Sequence, residues 1–323
     1  MFDDFGAKVN LGENNIGGIL RELEQWILGL HFAGANGSGA RKFAGENLSD
    51  SRNQDHASNQ VKIQDFKENM KIMLADHHKM HIEHVHADAL SSPMDPSLNV
   101  FFLEEDLKQG NSMPIYFPRR GPSSSHLLSK EEANSIPFES SKVPNLLEFF
   151  KFLPGSPQAK AMEETLQQCE TKPIKGETKF CATSLESMLN FVQMIFGFGT
   201  EIKVFSTIHL RQSNVHLQKY TIIEVPEEIS APKLVACHTM PYPYAVYYCH
   251  HQESKSKVFK VYLSGENGDS IEAIAVCHMD TSNWSHNHVS FRVLGIEPGT
   301  SPVCHFFPAD NFAWVPSTTL MQS

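Results

Sequence analysis

The sequence predicts an α+β domain, with helices in its first half and a β-rich second half, held together by disulfides. Three observations point there. Apolar residues recur at helical spacing before residue 200, as in Leu185, Met188, Leu189, Val192 and Phe196. After Glu201 the chain breaks into short runs rich in Val, Ile and Tyr, bounded by Pro, Gly, Asn or Asp. Four Cys-His dipeptides fall on those runs: Cys237-His238, Cys249-His250, Cys277-His278 and Cys304-His305, separated by 10, 26 and 25 residues.

The elements follow in chain order. Residues 19–30 form an amphipathic helix candidate that includes Trp26. Residues 33–95 are poor in aromatics and rich in Asn, Asp, Ser, Gly and His, which reads as a linker with a short helix at 66–74. Residues 1–95 are therefore expected to be an N-terminal region, largely flexible and His-rich. A compact domain is expected over residues 100–317, followed by a tail at 318–323. Residues 159–168 read as a helix. Thr183-Ser-Leu-Glu186 has the form of a capping box, and Gly197 and Gly199 end the helix behind it. Residues 233–237, 244–249, 271–277 and 302–304 read as strands, each with a Cys-His pair at its end.

On a strand, neighbouring side chains point to opposite faces. The order is Cys then His four times, so the cysteines are expected on one side and a histidine cluster on the other. A mixed Cys/His zinc site would use both faces, and its usual C-x-x-C or H-x-x-x-H spacing is absent. Cys169 and Cys181 flank a charged loop containing Pro173 and Gly176, suited to a local bridge. Two further bridges then remain among Cys237, Cys249, Cys277 and Cys304. Their three pairings stay open.

Disulfides imply an oxidising compartment, and Asn36, Asn47 and Asn283 stand in N-x-S/T triplets as glycosylation candidates. The first residues, Met1-Phe-Asp-Asp-Phe-Gly-Ala7, show no signal-peptide pattern, so secretion implies a chain that starts downstream of a leader. No run reaches the roughly 18 apolar residues of a membrane span, and no membrane partner is expected. The 323 residues carry 27 basic against 37 acidic side chains, a net charge of −10 that argues against nucleic acid as a partner. The 17 histidines shift that balance as the pH falls towards about 6.

The Cys-His spacing resembles the signature of plant BURP-domain proteins. Other stretches share the likeness: Phe101-Phe-Leu-Glu-Glu-Asp-Leu107, Gly176-Glu-Thr-Lys-Phe-Cys-Ala-Thr-Ser-Leu-Glu-Ser187, Pro243-Tyr-Ala-Val-Tyr-Tyr-Cys-His250, Ala275-Val-Cys-His-Met-Asp-Thr-Ser282 with Trp284, and Pro298-Gly-Thr-Ser-Pro-Val-Cys-His-Phe-Phe307. The resemblance covers residues 100–317 and is nearest the dehydration-responsive and microspore-type members. It implies copper as a cofactor, because some members are copper-dependent peptide cyclases that oxidise a Tyr or Trp in a short peptide. Imidazole nitrogen suits Cu(II), and His238, His250, His278 and His305 are the expected ligands. Asp280 is expected to orient a ligand imidazole from behind.

In several such cyclases the substrate peptide lies in the same chain, upstream of the Cys-His region. Here no Tyr or Trp lies between Trp26 and Tyr116, and the segment 118–128 has none either. A cyclase would thus act on a separate Tyr- or Trp-containing peptide. The alternative is a non-catalytic protein of cell wall or seed, or a stress-responsive one, with cell-wall polysaccharide or polygalacturonase as partner. Either is expected to be secreted, to the apoplast or cell wall, or vacuolar. His77, His81 and His84 share a helical face and offer a weak metal-capturing tract. His251, His286 and His288 lack the repeated offset and are expected at the surface. Tyr242, Tyr244, Tyr247 and Tyr248 are expected to pack within a sheet.

Overall fold

A computed structural model describes residues 7–9, 100–118, 127–211 and 213–317. Half-apolar strands need a covered face, and two antiparallel sheets provide it. The first sheet runs β1 (Ala7–Val9), β5 (Ile202–Phe205), β14 (Phe312–Pro316), β9 (Val235–Met240), β10 (Val246–Gln252) and β4 (Glu177–Ala182) in spatial order. The second runs β2 (Phe101–Phe102), β13 (Val303–Phe306), β12 (Ser270–His278), β11 (Ser256–Gly265), β7 (Leu217–Ile222) and β3 (Ser112–Tyr116). Two short strands complete it, β6 (Ile208–Arg211) against β12 and β8 (Glu227–Ile229) against β11.

Among the described residues five α-helices accompany the sheets: α1 (Lys130–Ser135), α2 (Val143–Phe150), α3 (Pro157–Glu170), α4 (Leu185–Phe196) and α5 (Val289–Leu294). Ser156 caps α3 by accepting from the Ala159 N–H, and Pro157 takes the first helical position, where no donor is needed. This extends the predicted 159–168 helix at both ends. The cap of α4 is one residue later than its sequence pattern suggested. Ser184, not Thr183, accepts from the backbone N–H of Ser187, and the Ser187 hydroxyl takes the role assigned to Glu186. Two adjacent hydroxyls offered the same chemistry, and the start of the apolar face at Leu185 decided between them.

The buried residues form four clusters. Helix α4 covers one face of the first sheet, where Val235, Cys237, Tyr247, Cys249 and Trp314 meet Leu185, Met188 and Val192. The opposite face of that sheet has two covers. Helices α2 and α3 pack Leu146, Phe150, Met162 and Leu166 onto Met240, Tyr242, Tyr244 and Val246. Further along, Ala236, Ala313 and Val315 meet Val258, Ile274 and Val276 of the second sheet. The outer face of the second sheet carries Phe102, Tyr220, Ala275, Cys277, Cys304 and Phe306.

All six cysteines are bridged, as Cys169–Cys181, Cys237–Cys249 and Cys277–Cys304. The first ties α3 to β4. Each of the other two joins residues directly opposite one another on neighbouring strands, Cys237 on β9 to Cys249 on β10 and Cys277 on β12 to Cys304 on β13.

The division into a helical first half and a β second half is only approximate. Strands β2, β3 and β4 lie in the first half and α5 in the second. Strand β2 is two residues long and owes its extended form to pairing with Cys304 and His305, a non-local cause that alternation cannot reveal. Three of the Cys-His strands also continue past their dipeptide, which sits inside them. Residues 19–30, 66–74, the histidines at 77–86, Asn36, Asn47 and the tail 318–323 lie outside the described residues. Among the described residues no helix is long and apolar enough to cross a membrane.

Cys277→Ser leaves Cys304 unpaired in the core and removes a link between β12 and β13. A loss of about 2–5 kcal/mol is expected, read as a lower urea midpoint under non-reducing conditions. His278→Ala should cost clearly less and preserve the fold, because the imidazole lies on the other face of the same strand. Equal losses would contradict the separation of roles between the two faces.

Candidate functional site

The register of each disulfide fixes where the adjacent histidines go. Cys237 faces Cys249, so His238 is opposite Tyr248 and His250 is opposite Ala236. The two histidines are diagonal neighbours on the face opposite the disulfide. The same holds for His278, opposite Val303, and His305, opposite Val276. The sheets stack these two diagonals against each other and bring the four imidazoles into one ring of contacts. Centroid separations are 5.4 Å for His238–His250, 6.3 Å for His250–His278, 5.5 Å for His278–His305 and 5.8 Å for His305–His238.

Within the ring, His238 and His250 approach most closely, with their Nε2 atoms 3.3 Å apart. Three polar groups fix the outward nitrogens. Asn311 Nδ2 is 3.0 Å from His238 Nδ1, and Gln252 Oε1 is 3.0 Å from His278 Nδ1. Glu177 Oε1 is 3.2 Å from His250 Nδ1, an ion-pair contact short of full hydrogen-bond alignment. The Tyr248 hydroxyl donates to the same Glu177 oxygen at 3.2 Å, and its ring lies 5.5 Å from that of His250.

Electrostatics holds His238, His278 and His305 neutral. Burial, and then the neighbouring imidazoles His250, His305 and His278, push His238 well below the ordinary histidine value. Burial followed by His305, His250 and His288 does the same to His278. His305 is brought down to about 4, chiefly by burial, with His250 next. For Glu177, burial favours the neutral acid, but nearby His250, the Ile174 N–H and the Tyr248 hydroxyl outweigh it and keep the carboxyl below its usual range.

A metal finds a fitting donor set in neutral imidazoles. Two of them on a shared tetrahedral ion, at about 2.0–2.1 Å each, have nitrogens about 3.3 Å apart. That is the His238–His250 separation. Among the described residues no three metal-ligating side chains already converge on one point, so the imidazoles would have to shift to complete a set.

The remaining predicted residues divide. Asp280 does not reach a ring histidine; its Oδ1 accepts from the Ser282 N–H in an exposed turn. The expected carboxylate partner is instead Glu177, from a different strand. Asn283 is exposed. His251 bonds the Leu234 carbonyl at 2.8 Å, and exposed His286 pairs with Glu297 at 3.6 Å. His288 departs from its surface assignment: half-buried, it accepts from the Ser290 N–H at the start of α5 and stacks 4.6 Å from Trp284. Trp284 in turn lies 5.0 Å from His278, and Phe101 lies 6.0 Å from His305, so an aromatic rim borders that side of the ring. Of the four tyrosines, only Tyr248 touches the site. Tyr242 and Tyr244 are buried under α2 and α3, and Tyr247 faces α4. A cleft of about 520 Å³ between residues 228–234 and the β10–β11 turn is lined by Gln252, the residue that also holds His278.

The depressed imidazoles make stability depend on pH with a definite sign. Unfolded histidines bind protons below about 6.5, whereas folded His305 does so only near 4. In that window the unfolded chain holds more protons, so stability is full above pH 6.5 and declines as the pH falls towards 4. His305 alone contributes a loss of roughly 3 kcal/mol across it. Urea unfolding from pH 8 to 4.5 should show this decline, and His305→Ala should flatten it. A flat profile for the unsubstituted protein would contradict the depressed proton affinity of His238, His278 and His305.

The BURP domain family profile matches residues 100–316. The BURP domain-containing protein BNM2C of Brassica napus is 46% identical over 230 residues, covering 68% of this chain and 81% of the relative. The BURP domain protein USPL1 of Arabidopsis thaliana is 45% identical over 227 residues, covering 68% and 81%. The BURP domain protein RD22 of Arabidopsis thaliana is 40% identical over 223 residues, covering 68% and 56%. With its two in-register disulfides and the histidine ring they position, the chain belongs to the plant BURP-domain family.

Proposed function

We propose that this protein is a secreted plant BURP-domain protein that binds copper through His238, His250, His278 and His305. The observation that carries the proposal is the convergence of four imidazoles from four strands of two sheets, with His238, His278 and His305 kept neutral chiefly by desolvation. Glu177 and Gln252 engage the Nδ1 atoms of His250 and His278 and so leave their Nε2 atoms available to an ion. The six bridged cysteines suit an oxidising compartment.

The reaction that fits is oxidative crosslinking of a Tyr or Trp side chain in a separate peptide. Copper bound at the ring would supply one-electron oxidation of the aromatic group, with dioxygen as terminal oxidant. Each crosslink removes two hydrogens from the peptide, and their two electrons and two protons go to dioxygen. The protein's part is to seat the aromatic ring against Trp284, His288 and Phe101 and to hold the backbone in the cleft beside Gln252. A separate substrate fits this chain because no Tyr or Trp lies between Trp26 and Tyr116, and Trp26 itself, the one upstream candidate, falls in an amphipathic helical pattern that suits packing.

A second reading is a non-catalytic cell-wall, seed or stress-responsive protein, with polysaccharide or polygalacturonase as partner. It is favoured by one observation: His238, His250 and His278 already make polar contacts with one another or with Asn311, Gln252 and Glu177. Such a cluster can serve as a satisfied polar core.

The two readings separate in one experiment. The disulfide-bonded protein is loaded with copper, its metal content measured, and Tyr- and Trp-containing peptides added under air. Bound copper with a loss of two hydrogens per crosslink is the expected outcome, and His278→Ala should lower copper content at least tenfold while remaining folded. Absence of copper from the unsubstituted protein would refute the metal reading and leave the structural one.

A further inference from the structure

We infer that Asn311 sets the tautomer of His238 and thereby gates metal entry to the histidine ring; the gate rests on the copper reading above. The argument begins at a backbone group that has no choice of role. The Thr239 N–H can only donate, and Asn311 Oδ1 is 3.2 Å from it, with the Thr239 hydroxyl 3.4 Å from the same oxygen. This fixes the orientation of the amide. Its NH₂ group is left facing His238 Nδ1 at 3.0 Å, and it donates.

A neutral imidazole that accepts at Nδ1 carries its hydrogen on Nε2. For His238 that hydrogen points at His250 Nε2, 3.3 Å away. His250 can accept there because its Nδ1 faces the Glu177 carboxylate and keeps its own hydrogen. The result is a chain of one polarity, from Thr239 through Asn311, His238 and His250 to Glu177. It has a consequence for the ring. His250 presents an Nε2 lone pair to the centre, whereas His238 presents an N–H.

An ion cannot share the His238–His250 pair until His238 moves its hydrogen to Nδ1. That move places N–H against the Asn311 NH₂ unless the amide turns over and gives up the Thr239 N–H. Asn311 is 6% exposed, so water has little access to replace that bond. Asn311 is thus a positioning residue that acts through His238. A carboxylate in its place would accept from Thr239 N–H and His238 Nδ1–H together, and would turn the Nε2 lone pair towards the ion.

The test uses the metal-free, disulfide-bonded full chain and then Cu(II) as probe. Long-range ¹H–¹⁵N NMR of the imidazoles should show His238 with its hydrogen on Nε2 in the unsubstituted protein and on Nδ1 in Asn311→Asp. Calorimetric titration should show Asn311→Asp binding Cu(II) about tenfold tighter or more, within the range that such outer partners command. His238 carrying its hydrogen on Nδ1 in the unsubstituted protein would overturn the inference, and that reading needs no variant to fold. Equal copper affinity in the two proteins would overturn the gate while leaving copper binding intact. A tautomer switch with no copper bound by either protein would overturn the gate together with the copper reading. As a second variant, Asn311→Ala removes the donor and should lower the Nε2–H population; an unchanged tautomer there also counts against the inference.

Discussion

The geometry of the histidine ring depends on one constraint: two disulfides that join residues in direct register on antiparallel strands. Cys237 is bonded to the residue opposite it, Cys249, and Cys277 to the residue opposite it, Cys304. A one-residue slip of a strand would exchange its faces, and the covalent bond forbids it. The histidine after each cysteine therefore has no freedom about which face it takes. Each disulfide defines a two-stranded ribbon with two imidazoles on its far side. Ala236, Ala313 and Val315 against Val258, Ile274 and Val276 then hold one ribbon over the other. Covalent register sets the pairs, and apolar packing between the sheets sets the distance between pairs.

This division explains what the sequence disclosed. Face alternation is a local property with a period of two, so the separation of Cys from His could be read from four dipeptides. The bridge pairing could not, because it depends on which strands become neighbours. Cys249 and Cys277 are separated by the long hairpin arm of β11 and belong to different sheets. The partners of the imidazoles were hidden for the same reason. Asp280 looked suitable because it is two residues from His278, but on leaving the strand the chain turns and its carboxylate caps Ser282. The groups that orient the ring are distant: Asn311 is 73 residues from His238, and Gln252 is 26 residues from His278. Glu177 reaches His250 because β4 is the edge neighbour of β10, where it stands opposite Gln252. The repeated offset also misdirected the reading of His288, which joins the ring's border from a helix start and not from a strand.

The composition of the ring runs against the logic of the core around it. On the same strand faces, the adjoining inward positions are Ala236, Ile274 and Val276, all buried and apolar. Apolar residues at 238, 250, 278 and 305 would continue that core without the cost of burying polar rings. Neighbouring imidazoles lower the proton affinity of His238, His278 and His305, and His238, His250 and His278 each have a partner beside Nδ1. The protein supplies those partners from three separate places, the edge strand β4, the end of β10 and the turn before β14. Such an arrangement keeps His238, His278 and His305 neutral at ordinary pH, the state in which an imidazole binds a metal and the state that a proton would abolish.

The outward partners are not equivalent. Glu177 and Gln252 place oxygen acceptors beside His250 and His278, which favours hydrogen on Nδ1 and leaves Nε2 open. Asn311 places a donor beside His238 and favours the reverse. A ring built only to bind would show acceptors at every outward nitrogen; a ring built only to pack would have no reason for the carboxylate of Glu177. The mixed set satisfies the metal-free protein, since the single hydrogen between His238 and His250 bridges two nitrogens that would otherwise repel. It also opposes the first ion to arrive by the strength of one amide orientation. The anchor of that orientation is the Thr239 backbone N–H, one residue after His238 on the same strand. The register that positions the imidazole thus also positions the group that sets its tautomer.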